Sequence, residues 1–313
     1  MTQRPLVSII TPAFNRANLL AETIESVLDQ DYPNLEYIVL DDGSTDDTRD
    51  VLARYEGRLR HEWHPNMGET RTVNKGFSLA RGEIIGVVNS DDPLLPGALT
   101  KLVNALMAHP DVVVAYPDWL IIDGLGRRLQ PVQALEFTGA FDMIRRHHCL
   151  PGPGALFRRS VVEKTSGRDP TFRYTGDLDF WFRAVLVGPF LRVPETLATF
   201  RVHDDSTSVR AKGRSMAYEH MQIVENFFSR TDLPEGMFAL CPEAQSSASF
   251  VAGCSCSRWD LPAKLRFFLD ALRLAPAKYI GEYVTRWPGM VLTLAGFDAN
   301  RLYLASRRWT KSG

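Results

Sequence analysis

The chain has 313 residues, 45% of them hydrophobic, with 36 Lys and Arg against 37 Asp and Glu and a formal net charge of -1. That composition suits one large domain, or a domain with an appendage, around a sizeable core. It excludes general electrostatic binding to nucleic acid, which needs a basic face.

Strand and helix signals alternate through the first half. Leu6 to Ile10 is an apolar strand running into Thr11-Pro12-Ala13-Phe14-Asn15-Arg16. Leu19 to Leu28 places apolar residues at helical spacing, with Asn18 as its candidate cap. A strand over Tyr37 to Leu40 ends in Asp41-Asp42-Gly43-Ser44-Thr45, and helical signals follow from Thr45 to Tyr55. A short strand at 61–64 and a helix over 70–80 come next. The apolar run Glu83 to Val88 ends in Asn89-Ser90-Asp91-Asp92. Pro96 to Ala108 reads as a helix with Leu99, Leu102, Val103, Leu106 and Met107 on one face, and Asp111 to Tyr116 as a buried strand. Such alternation specifies an α/β fold, a mainly parallel sheet with helices on both faces.

The chain then reads as a hairpin over 120–130 turning at Asp123 to Gly126, and a stretch rich in Arg, His, Gly and Pro from 137 to 159. A strand at 155–157, a helix over 177–186 and a strand over 191–201 complete this part. A boundary is expected near 206–214, giving a first domain over 1–212 (halves of about 1–118 and 119–212) and a helical region over 213–313. Helical patterns lie at 216–228, 263–274 and 279–286. The tail over 301–311 is basic with interleaved Leu, Tyr and Trp. It fits a membrane-surface helix or an ordinary terminal helix packed on the core, and ordinary packing is the expectation.

Cys149, Cys241, Cys254 and Cys256 include no Cys-x2-Cys pair, so free thiols are expected and no zinc site. No charged-then-apolar leader opens the chain, and no apolar run approaches the ~18 residues that span a bilayer. The reading is cytoplasmic, with peripheral attachment to the inner face of the membrane left open through the C-terminal region.

Two acidic pairs, Asp41-Asp42 and Asp91-Asp92, sit at the ends of apolar strands. Adjacent carboxylates there repel and lose hydration. A cation or a set of hydrogen-bond donors relieves that, and hard divalent ions share oxygen ligands with substrate phosphates. Taken alone, Asn89 to Asp92 is equally a strand-ending turn. Polar groups after three strands point to one shared crevice at the carboxyl ends of an open sheet.

In order, Val7 to Asn15, Gln30 to Tyr37, Asp41 to Asp46, Asn74 to Phe77, Ala80 to Gly86 and Asn89 to Asp92 resemble the inverting family 2 glycosyltransferases, whose nucleotide-sugar-binding fold is called GT-A. The resemblance covers about the first two-thirds of the chain. It implies a nucleoside-diphosphate-sugar donor, a UDP-sugar first and a dTDP-sugar next, and a bound Mn²⁺ or Mg²⁺. Thr11, Pro12, Ala13 and Asn15 would line the nucleotide, and Asp42 would accept from N3–H of a uracil-like base. Lys75 would either touch phosphate or lie in solvent. Asp92 would be the direct metal ligand, Asp91 a ribose or water-bridged partner, and His203 a contact to the metal or the diphosphate.

The segment Gly176-Asp177-Leu178-Asp179 resembles the family's acidic pair, with Gly176 in place of the usual Glu, leaving Asp177 as the candidate general base. Asp179 would pair with Arg183 at i+4. The implied acceptor is a saccharide or lipid-linked saccharide, approaching from the side of residues 137–154 and the C-terminal segment, in bacterial surface polysaccharide or glycolipid synthesis. His147 and His148 read as acceptor-loop or surface residues. The oligomeric state is open, and a homo-oligomer is compatible with the sequence. The alternative is a catalytically silent nucleotide-sugar-binding or scaffold protein on the same fold. The loop after the first strand fits neither a pyrophosphorylase nor a G-x-G-x-x-G dehydrogenase.

Overall fold

Val7–Ala13 forms the central strand, β1, and all seven of its residues are buried. A strand covered on both faces must be apolar almost throughout, as this one is. The computed structural model describes residues 4–203, 213–257 and 259–275, which fall into two units. Among these residues no helix is long and apolar enough to cross a membrane.

In the first unit (residues 4–140 and 149–203), β1 pairs in parallel with β2 (Leu35–Asp41) and with β4 (Ile84–Val87), and β2 pairs in parallel with β3 (Arg60–Trp63). The order β3-β2-β1-β4 reverses the direction of winding between β1 and β4. The space beyond their carboxyl ends is therefore a topological switch point. Past β4 the sheet becomes mixed. The three-residue β7 (Leu156–Arg158) runs antiparallel to both β4 and β5 (Val114–Asp123). β5 forms the expected hairpin with β6 (Arg128–Val132) and pairs in parallel with β8 (Phe190–Val202). Two parallel groups thus meet at an antiparallel seam that the short apolar run at 155–157 does not announce.

Helices cover both faces. α1 (Leu20–Leu28), α2 (Thr48–Ala53) and α4 (Ala98–Ala108) bury Leu20, Ile24, Val51, Leu99, Leu102 and Leu106 with Val7, Ile9 and Val39. α3 (Glu69–Leu79) lies on the other face, so close to β1 that a Cβ on Gly76 would sit 2.4 Å from Ile10 Cγ2. Phe77 of α3 meets Phe157 and Phe180 at centroid distances of 5.9 and 5.8 Å. α6 (Arg159–Thr165) leads toward α7 (Gly176–Ala184), whose Trp181 ring packs edge-on against Phe157. Asn18 does not cap α1. The residue before the helix is Leu19, and the turn is held by bonds from Arg16 N–H to Thr48 Oγ1 (3.0 Å) and Ala17 N–H to Asp46 Oδ2 (3.1 Å).

The second unit contains residues 141–148, 213–257 and 259–275. It holds most of α5 (Ala140–Arg145), then α8 (Arg214–Phe228), α9 (Cys241–Ser255) and α10 (Leu261–Leu274). α8 and α10 match the expected helical patterns. The pattern at 279–286, the basic tail and residues 206–212 of the expected boundary at 206–214 lie outside the described residues. α9 has no apolar stripe. It buries Ala244, Ser246, Ala248, Ser249 and Ala252, small side chains that permit close packing with α8 and α10. Its hydroxyls are paired on the way in, Ser246 Oγ with the Ala271 carbonyl at 2.8 Å and Ser247 Oγ with the Arg145 carbonyl at 2.6 Å.

His147, expected as an acceptor-loop or surface residue, is buried here, its Nε2 3.0 Å from Nδ1 of buried His220. Burial holds both imidazoles below their ordinary range, His220 down at about 4. The folded pair refuses protons that the unfolded chain takes up, so the associated stability is complete above about pH 6.5 and declines as pH falls toward 4. Unfolding of this unit should become easier by about 3 kcal/mol over that interval, an order-of-magnitude figure. Chemical denaturation followed across pH, with His220→Gln as comparison, checks this. An unchanged pH slope in the variant would assign the dependence elsewhere.

Candidate active site

The loops after β1, β2 and β4 meet at the switch point. β1 ends at Ala13, whose carbonyl accepts from Asp42 N–H at 2.8 Å. Asn15 then takes φ +52°, a left-handed conformation that Asn tolerates better than most residues. Its Oδ1 accepts from Thr45 N–H at 2.8 Å, and its own N–H donates to Ser44 Oγ at 2.9 Å. Arg16 reaches the third loop, its Nε 3.6 Å from Asp91 Oδ2.

The two acidic pairs are used differently. Asp42 is 4% exposed and bridges to the loop before α3, Oδ1 accepting from Met67 N–H (2.7 Å) and Oδ2 from Gly68 N–H (3.0 Å). Each oxygen keeps lone-pair capacity beyond those bonds. Asp41 points into the protein and accepts from Ser44 N–H at 2.8 Å. At the end of β4 a tight turn forms, Asp92 N–H donating to the Asn89 carbonyl at 3.1 Å. Asp91 faces the crevice, its Oδ2 3.0 Å from His203 Nε2. Asp92 is 4% exposed and turns inward, accepting from Arg201 N–H (2.7 Å) and Asn89 Nδ2 (3.0 Å). Burial, then the neighbouring Asp91 charge, push Asp92 well above the ordinary carboxylate range.

The sequence reading grouped Asp91, Asp92 and His203 as metal ligands. The structure brings Asp91 and His203 together and commits Asp92 to the protein. Among the described residues no three His, Cys, Asp or Glu side chains form a metal-holding group. The Asp91 carboxylate with the His203 imidazole is nevertheless a donor pair suited to Mn²⁺ or Mg²⁺, which complete their shells with phosphate oxygens and water. Of the other expected nucleotide contacts, Thr11 is fully buried with Oγ1 3.0 Å from Tyr37 Oη, Pro12 and Ala13 are buried strand residues, and Lys75 pairs with Glu62 at 2.9 Å.

A cavity of about 330 Å³ opens beside the Asp91-Asp92 turn. Asn89 and Asp92 line one part of it, and Asp177, Trp119, Trp181 and Arg168 line another. Asp177 stands exposed in the first turn of α7, accepting from Leu178 N–H at 2.8 Å. Asp179 is buried and paired with Arg183, Nε to Oδ2 2.9 Å, as its i+4 spacing predicts. Gly176 is dictated by space, since a Cβ there would lie 2.9 Å from Thr70 Oγ1. The aromatic floor at Trp119 and the buried Arg168, which pairs with Glu69 at 3.0 Å, carried no local sequence signal.

Residues 8–166 match the model of the family described as "Glycosyl transferase family 2". An uncharacterized glycosyltransferase of Rickettsia typhi is 31% identical over 228 residues, covering 70% of each chain. The chain belongs to glycosyl transferase family 2. The enzyme is an inverting glycosyltransferase that uses nucleotide sugars, and its fold is GT-A. Staphylococcus aureus TarS (residues 1–349, in complex with UDP-GlcNAc) superposes with a TM-score of 0.67 at 17% identity over 94% of this chain and 88% of that one. The mannosyltransferase PcManGT from Pyrobaculum calidifontis, solved with GDP-Man and Mn²⁺, gives 0.57 at 19% identity over 99% and 89%. At these identities the likeness to the two structures is one of fold.

The residue that ties the acidic turn to β5 and α1 was not singled out in the sequence. Arg201 of β8 is 2% exposed. Its Nε donates to the Asp91 carbonyl at 2.9 Å, one terminal nitrogen to the Asp123 carbonyl at 3.2 Å, and the other to Glu22 Oε2 at 2.6 Å. Replacing Arg201 with Leu should cost about 1–3 kcal/mol, because it leaves the Asp91 and Asp123 carbonyls without their donor, while the exposed Glu22 carboxylate returns to water. Arg201→Lys should recover only part of that, as an ammonium cannot copy the guanidinium fork. Denaturant titration of both variants measures it.

Proposed function

We propose that the enzyme transfers a sugar from a UDP-sugar, with a dTDP-sugar as second choice, to a hydroxyl of a saccharide or lipid-linked saccharide, with Asp177 as general base. The observation that carries this reading is a cavity lined both by Asn89 and Asp92 of the acidic turn and by Asp177. The Asp177 carboxylate accepts the proton of the attacking hydroxyl. The hydroxyl oxygen bonds to the anomeric carbon on the face opposite the diphosphate, the carbon–diphosphate bond breaks, and the configuration inverts. Trp119 and Trp181 offer apolar faces against which a sugar ring can lie.

Asp91 and His203 would hold the divalent cation, a reversal of the preference for Asp92 that the sequence suggested. When bound, such a cation neutralises charge developing on the leaving diphosphate. Asp42 remains the candidate partner for a uracil N3–H, and the UDP-GlcNAc held by TarS supports a UDP donor. GDP is the competitor, given the GDP-Man bound by the archaeal mannosyltransferase.

Calorimetric titration with UDP, dTDP, GDP and CDP, each with Mn²⁺ and with EDTA, should give metal-dependent binding of UDP. Asp91→Asn should abolish the metal dependence. Asp177→Asn should keep UDP binding and lose transfer by roughly 10²–10⁴-fold. Full transfer in the Asp177→Asn protein would remove Asp177 from its role, and metal-dependent binding of GDP alone would replace the donor.

A further inference from the structure

The second unit leaves more apolar surface in water than its packing requires. α10 carries Leu261, Leu265 and Leu269 at intervals of four, which aligns them along one side of the helix. They are 45%, 43% and 49% exposed, and Trp259, just before the helix, is 80% exposed. A different part of the helix makes the core contacts, through Phe267, Phe268 and Ala271. A helix that only covers its own unit presents polar residues outside the packed stripe, and α10 continues apolar there. Exposed apolar strips of this kind mark interaction sites.

Charge indicates what the strip meets. Arg266 and Arg273 of α10 are 74% and 77% exposed, each loosely paired with Asp270, at 3.9 and 3.7 Å. The sequence that follows, residues 276–313, holds six Lys and Arg against two Asp and Glu, and includes Trp287 and Trp309, in a chain whose formal net charge is -1. Leucines and tryptophan bordered by arginine, next to a cationic sequence, form the pattern of a helix lying in an interface, with its apolar side at the acyl boundary and its cations at headgroup level. A dimer through the same strip would bring like-charged borders toward each other, whereas an anionic surface opposes them with the complementary sign.

We infer that the Leu261-Leu265-Leu269 face of α10, with Trp259, docks on the surface of an anionic lipid bilayer. This inference does not rest on the identity of the donor or on the role of Asp177. The test is co-sedimentation of the full-length enzyme with vesicles of phosphatidylcholine alone and with vesicles containing about 30% phosphatidylglycerol, at low and high salt. The expected result is binding to the anionic vesicles that weakens with salt and drops at least tenfold in the Leu265→Glu/Leu269→Glu variant. That variant should retain the wild-type melting temperature and UDP affinity.

Equal sedimentation of variant and wild type would overturn the inference and assign binding to the basic segment 276–313. Absence of wild-type binding would overturn it as well. So would a dimer in size-exclusion chromatography that the variant splits, which would make the strip an interface between copies. UDP affinity is read separately, so failure here leaves the proposed function standing, and the converse holds.

Discussion

A buried guanidinium ties together the acidic turn after β4, the end of β5 and α1 of this glycosyltransferase. Desolvating Arg201 is costly unless its donors find acceptors, and they do so on three segments distant in sequence: the turn after β4, the end of β5, and Glu22 of α1. The backbone N–H of the same residue fixes the Asp92 carboxylate. One side chain from the last strand thereby sets the position of the acidic turn at the switch point. That turn is stitched on either side as well, by Thr23 Oγ1 to the Ser90 carbonyl and by Thr199 N–H to the Pro93 carbonyl.

With the turn held, its two carboxylates divide their work. Asp92 accepts from Arg201 N–H and Asn89 Nδ2 and also lines the cavity, and its burial disfavours the charged form. Asp91 lies beside His203 and Arg16, its Oδ2 within 3.0 Å of the imidazole and 3.6 Å of the guanidinium. A comparable division recurs after β2, where Asp41 folds back on its own loop while Asp42 clamps the loop before α3. In α7 Asp179 takes the ion pair and Asp177 the exposed position. In each pair the two carboxylates meet different partners, because successive residues at a strand end or helix start point in different directions.

The second unit follows different rules. Its middle helix packs through Ala and Ser, with the serine hydroxyls satisfied by backbone carbonyls, so it gains close contact where α8 and α10 gain apolar area. It also buries two imidazoles against each other, whereas the main core of the first unit is built from aliphatic and aromatic side chains.

The amino-acid sequence by itself determined the α/β alternation, the elements of the donor half, the acidic turns and the place of Asp177, because each rests on local periodicity, turn chemistry or spacing along one helix. It also determined the Asp179–Arg183 pair, an i+4 contact. Only the tertiary structure decided the antiparallel seam at β7, the hub at Arg201, the pairing of Thr11 with Tyr37 and of Lys75 with Glu62, and the different partners of Asp91 and Asp92. Those outcomes depend on contacts between residues up to 179 positions apart, as in Arg201 with Glu22. Which acceptor a buried donor finds at that distance is a property of packing, and neither periodicity nor local propensity encodes it.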